Sequence, residues 1–197
     1  MGIVTTDLKQ KTIEKAISLT GVGLHTGKNV ILTFKPATVN TGLAFKRVDL
    51  EGMPVIEADA CYVTNTQRGT CLEKNGVNIQ TSEHVLAALI GLDIDNVFIE
   101  LNASEPPIMD GTSKIFDEAI EKAQVVEQDA FREEYVIQDI VPYTDEETGS
   151  EILVMPSKEY QITTMVDFGT KVLGTQNATL NQISDFKEDI SNARTFS

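Results

Sequence analysis

Two cysteines, two histidines and no run near the ~18 apolar residues of a membrane span mark this 197-residue sequence. Cys61 and Cys71 are too few for a disulfide scaffold, and their spacing suits neither a zinc ribbon nor a redox pair, so free, buried thiols are expected. The N-terminus lacks the apolar core of a signal peptide, which predicts a cytoplasmic chain that does not cross a membrane. Basic residues are also scarce: 16 Lys and Arg against 30 Asp and Glu leave a net charge of −14, which excludes binding a nucleic-acid backbone by bulk charge. There is no low-complexity tract, and 41% apolar with 23% charged residues is the balance of a packed fold.

The charge is uneven. Residues 1–50 carry seven basic groups against three acidic, whereas Glu127–Glu159 carries ten acidic against two. An anionic ligand would be favoured near the N-terminal half, although solvated surface charge produces the same asymmetry. The composition shifts near residue 125, which suggests a first domain over 1–126 and a second over 127–197.

Thr12–Leu19 and Asn29–Pro36 read as strands, the latter from the alternation of Val30, Leu32 and Phe34 with Ile31, Thr33 and Lys35. Between them, Thr20-Gly-Val-Gly-Leu-His-Thr-Gly27 holds three glycines, enough to bend sharply and approach a ligand closely. Leu43–Arg47, Val55–Ala58, Thr70–Glu73 and Val77–Gln80 follow as short strands. The period then changes: Val85, Leu86, Leu89 and Ile90 form the stripe of a helix over Ser82–Leu92, capped by Thr81 or Ser82. Asn96–Leu101 is an apolar strand, Glu105–Gly111 a turn-rich loop, and Thr112 or Ser113 opens a second helix through Ala123. After a boundary at Val125–Ala130, Tyr135–Tyr143, Glu151–Met155 and Tyr160–Asp167 read as a meander, and a helix starts near Ser184 or Asp185. Strands grouped before helices favour an α+β fold.

Any histidine-dependent site must use His25 or His84. His84 follows Glu83 in the first turn of the predicted helix, where a carboxylate and an imidazole share a mouth of outward-pointing N–H groups. Such a pair suits a general base beside a metal ligand, but the helix dipole alone also favours Glu there, and a metal needs about three protein ligands. The glycine-rich turn does not match the phosphate-loop pattern and reads equally as a glycine-rich hairpin. Asp110 suits a turn or a helix start, and Ala193-Arg-Thr-Phe196 a helix end.

Taken together and in order, several segments resemble one family. They are Thr20–Gly27, Pro36-Ala37, Asn40-Thr-Gly42, Arg47-Val-Asp-Leu50, Ser82-Glu-His84, Ala87-Ala-Leu89, Gly91-Leu-Asp-Ile-Asp-Asn96, Pro107-Ile-Met-Asp-Gly111 and Ala193-Arg-Thr-Phe196. The chain is similar to the UDP-3-O-acyl-N-acetylglucosamine deacetylases, the zinc amidases of lipid A synthesis. The resemblance implies two related sheet-plus-helices domains in a β-α-α-β sandwich, the second incomplete in this chain. It implies His84 as a Zn²⁺ ligand, Glu83 as the general base, and Thr195 as the hydroxyl that stabilises the oxyanion. Phe196 would lie along the substrate's sugar or acyl part, and Leu24 would line the passage for the acyl chain. Gln67 and Arg68 would border the cleft within an insert spanning about Ala58–Gln80, and His25 and Asp110 would support the site.

Members of that family continue with His-Lys-x-x-x-Asp-x-x-Gly-Asp, which brings the remaining zinc ligands and a phosphate-binding lysine, and later a histidine acid. Neither occurs here, so the 197-residue chain is expected to bind zinc poorly and to be an inactive fragment that self-associates through its incomplete second domain. The acidic second half and its Asp145–Gly149 turn resemble the branch fused to a hydroxyacyl-carrier-protein dehydratase. The alternative is a non-catalytic sugar-nucleotide or protein-interaction module that keeps the fold.

Overall fold

The computed structural model describes residues 2–194. The fold is α+β and dominated by strands. It divides into a larger unit, Gln10–Asp129 with the chain from Ile183, and a smaller one, the chain up to Lys9 with Ala130–Gln182. Strands β1 (Gly2–Ile13) and β10 (Val125–Val136) pair as a ribbon, and each has residues in both units.

In the larger unit, β2 (Ile17–Val22), β3 (Asn29–Pro36), β4 (Leu43–Arg47), β5 (Val55–Glu57) and β9 (Val97–Leu101) form a sheet of order β2-β3-β9-β4-β5. Only the β4/β9 pair is parallel, with Phe45 opposite Ile99. The expected alternation holds: Val30, Leu32 and Phe34 on β3 and Val97, Ile99 and Leu101 on β9 are buried on one face. Onto that core pack helices α1 (Glu83–Gly91) and α2 (Lys114–Lys122), through Val85, Ala88 and Leu89 from the first and Phe116 and Ile120 from the second. Phe116 meets Phe34 edge to face at 6.5 Å. A smaller sheet of β6 (Val63–Asn65), β7 (Cys71–Lys74) and β8 (Val77–Ile79) adds Leu72 and Ile79 to the same core. The helix α3 (Phe186–Asp189) also belongs to this unit.

The smaller unit holds two hairpins: β11 (Val141–Thr144) with β12 (Glu151–Val154), and β13 (Ile162–Asp167) with β14 (Thr175–Leu180). The first closes through the expected turn, with Gly149 at φ 71° and its N–H donating to Asp145 O.

Several expectations are corrected. Thr12–Leu19 is two strands, because the Glu14 and Lys15 amides donate to Gln124 O and Ala123 O and so satisfy carbonyls at the end of α2. Tyr135–Tyr143 is interrupted between Val136 and Val141. Ile90 faces outward, 46% exposed, so the α1 stripe is narrower than its spacing suggests. Cys61 is free but exposed, and Cys71 only half-buried.

Candidate functional site

Helix α1 begins at Glu83, and the residues before it are tied down by side chains rather than by a cap. Ser82 occupies the cap position in helical conformation without capping the helix. Its hydroxyl and its amide both donate to Thr70 O, at 3.0 and 3.1 Å. Thr81, at φ 51°, sits in the left-handed region that β-branched residues rarely enter, and its hydroxyl donates to Glu105 Oε1 at 2.9 Å. Both hydroxyls expected at the cap are therefore engaged elsewhere.

Glu105 is the residue that sequence reasoning passed over. It lies fully buried in the loop after β9. Its carboxylate also accepts the His25 N–H at 3.0 and 3.1 Å and the Thr26 N–H at 2.9 Å. Burial is the largest single influence and resists ionisation, yet the hydrogen bonds from His25, Thr26 and Thr81 together hold the carboxyl below its ordinary range. The glycine-rich turn thus wraps an internal anion, and the amides an external phosphate would need are already engaged. Gly23 is required by this arrangement: a Cβ there would stand 2.6 Å from Glu105 Oε2 and 2.4 Å from Thr26 Oγ1. The signal available in sequence was a lone acid before two prolines, which reads as a turn.

The Glu83 carboxylate accepts the Thr70 N–H at 2.8 Å through Oε2, while Oε1 lies 3.2 Å from where a Cβ on Gly69 would be. Glu83 and His84 line a pocket of about 180 Å³ with Ala87, Ser113, Phe186, Ile190 and Ala193. Phe186 reaches it because Gly91 has no side chain; a Cβ there would fall within 2.0 Å of the ring. On α2, Asp117 is 1% exposed, and among the described residues neither carboxylate oxygen has a hydrogen-bond partner. Burial pushes its pKa up to about 6, the nearby Ser191 hydroxyl and Lys187 opposing and Glu121 and Glu118 adding to the rise. Ser191 Oγ itself donates to Lys187 O.

The other anticipated residues are spread around this core. The His25 ring meets Arg68 O at 3.2 Å through Nε2, so two residues 43 apart in sequence come together. Leu24, Gln67 and Arg68 are exposed, and the Gln67 N–H donates locally to Asn65 Oδ1. Asp110 is exposed and accepts from the Thr112 amide and hydroxyl, and chiefly the hydroxyl bond lowers its pKa. Thr195 and Phe196 lie outside the described residues. Among the described residues no three His, Cys, Asp or Glu side chains converge as a metal site, so His84 with its neighbours does not by itself fit a zinc ion.

Residues 10–197 match the family model described as LpxC, UDP-3-O-acyl N-acetylglycosamine deacetylase. The chain belongs to the LpxC family. It is 43% identical over 189 residues to the bifunctional enzyme LpxC/FabZ of Bacteroides thetaiotaomicron, covering 96% of this chain and 41% of that protein. It is likewise 43% identical to the LpxC/FabZ of Porphyromonas gingivalis, with 95% and 41% covered. The UDP-3-O-acyl-N-acetylglucosamine deacetylase of Chromohalobacter salexigens is 40% identical over 192 residues, covering 96% of this chain and 63% of that enzyme. The chain therefore spans about two-fifths of its bifunctional LpxC relatives. No helix among the described residues is long and apolar enough to cross a membrane.

Proposed function

We propose that this chain is the N-terminal portion of a zinc-dependent, cytoplasmic hydrolase that removes the N-acetyl group from UDP-3-O-(3-hydroxyacyl)-N-acetylglucosamine in lipid A synthesis. The observation that carries the reading is the placement of Glu83 and His84 side by side at the mouth of α1, lining one pocket. In this reading Glu83 takes a proton from the attacking water, and the Thr195 hydroxyl donates to the oxyanion that forms on the acetamide carbonyl. In this reading His84 is the zinc ligand that this segment supplies, the other donors coming from outside it. Leu24, Gln67, Arg68 and Phe196 contact substrate, and His25 and Asp110 support the site. The sequence boundary between the two sheet-plus-helices halves falls near residue 126, and a hydroxyacyl-carrier-protein dehydratase is fused in the longer polypeptide, as the names of the LpxC/FabZ relatives suggest.

Calorimetric zinc titration of the metal-free chain, with His84→Ala as control, tests the metal assignment. Weak binding that His84→Ala weakens further supports a site divided between this segment and another. Tight one-to-one binding lost in the variant means that the 197 residues hold a complete site and overturns the fragment reading. The activity is tested on a chimera in which this chain replaces the matching 192 residues of the Chromohalobacter salexigens deacetylase. Release of acetate, abolished by Glu83→Gln, is expected; an inactive chimera argues for the non-catalytic module.

A further inference from the structure

We propose that Glu105 is a positioning residue for Glu83, acting through two backbone routes that converge on Thr70; the inference deepens the deacetylase reading and rests on it. The first route runs through the glycine-rich turn. Glu105 fixes the His25 and Thr26 amides, and the His25 ring contacts the Arg68 carbonyl at 3.2 Å. Two residues later the Thr70 amide donates to Glu83 Oε2. Arg68 at φ 61° and Gly69 at φ 152° make the tight bend between these contacts, and a side chain at 69 would crowd Glu83.

The second route runs through Thr81. Glu105 accepts the Thr81 hydroxyl and so holds a left-handed β-branched residue immediately before Ser82, whose amide and hydroxyl both bond the Thr70 carbonyl. Thr70 is thus held at its carbonyl by the start of the helix, while its amide is aimed at the carboxylate one residue into it. Three donors converge on Glu105, and only an ionised carboxylate accepts from all of them while presenting no N–H of its own. A glutamine of the same shape turns an amide group towards the turn's own N–H groups, leaving a buried donor unpaired.

Glu105 touches no reacting atom in this arrangement, so its removal acts on the orientation of Glu83 and on turnover more than on substrate affinity. In the 197-residue chain, Glu105→Gln is expected to speed hydrogen exchange at His25, Thr26 and Thr70 by about tenfold or more, with Leu32 and Ile99 in the sheet unchanged. In the chimera it is expected to lower kcat by about tenfold with KM within about twofold, and Glu105→Asp to restore part of the loss. Release of His25 and Thr26 with Thr70 still protected overturns the relay, as does a loss carried by KM. If Glu105→Gln does not fold, Thr81→Val removes one donor alone and is read by the same Thr70 exchange. An inactive parent chimera sinks the deacetylase reading and leaves the exchange experiment to decide the relay.

Discussion

The Thr70 amide donates to Glu83 Oε2 across 2.8 Å, so the first residue of helix α1 is held by the backbone immediately before β7, the middle strand of the small three-stranded sheet. A carboxylate in a helix first turn is already favoured by the dipole, and this bond fixes which way it points. The geometry of the site therefore depends on loops that have little apolar burial of their own, and those loops are where substitutions are most informative.

Gly23→Ala places a methyl group 2.6 Å from Glu105 Oε2 and 2.4 Å from Thr26 Oγ1. Neither atom is at the free end of a flexible chain: Glu105 Oε2 accepts the Thr26 amide, and Thr26 Oγ1 accepts the Lys28 amide at 3.4 Å. The expected loss is about 1–3 kcal/mol of unfolding free energy, read from urea denaturation. A change within about 0.5 kcal/mol would mean that the carboxylate is not seated against the turn.

Asp117 and Glu105 predict opposite pH dependences. Asp117 has its pKa raised from 3.8 to about 6, so the folded state binds more protons than the unfolded state between those values. Its contribution to stability is therefore greatest below about pH 4 and is lost as pH rises towards 6. Asp117→Asn should remove that slope, because the amide does not titrate. Glu105, held below its ordinary value, contributes stability that is lost as pH falls through the folded pKa. Urea melts of the parent and Asp117→Asn between pH 4 and 8 check this; parallel curves would show that Asp117 finds a partner.

Gly91→Ala drives a methyl group into the Phe186 ring, so helix α3 must move away from α1. Hydrogen exchange should show faster opening at Ile190 and Ser191, whose amides bond to Phe186 O, while Ala88 and Leu89 stay protected. Unchanged protection at Ile190 would place α3 elsewhere.

The smaller unit exposes Tyr135, Tyr143, Ile152, Leu153, Met155, Tyr160 and Met165, the last at 72%. Two-stranded ribbons with such surface are marginal alone and associate readily. Light scattering of the pure chain should give a mass above the 21.6 kDa of one protomer, falling when Tyr143 and Met165 are replaced by Lys. A monodisperse monomer with no dye binding would refute this.

The elements legible in the sequence are those whose pattern is local. The β3 alternation, the helix over Glu83–Gly91 and the Asp145–Gly149 turn all follow from side-chain period or turn chemistry. The missed elements lacked such a pattern. β14, Thr-Gln-Asn-Ala-Thr-Leu, buries only Leu180 and shows no alternation, and the first residues of β1 are mostly exposed. The Thr81 and Ser82 hydroxyls were legible as cap candidates, but their actual partners, Glu105 and Thr70, were not.

Composition, periodicity and ordered motifs by themselves determined that this is an acidic α+β chain of the LpxC family with Glu83 and His84 opening a helix. What only the tertiary structure decided is how that pair is held. Glu105 meets residues 24 and 80 positions away in sequence, and Thr70, just before β7, reaches Glu83 13 positions on. No local pattern encodes such contacts, because a buried carboxylate's partners are chosen by whichever backbone amides the fold brings within hydrogen-bonding distance and deprives of water.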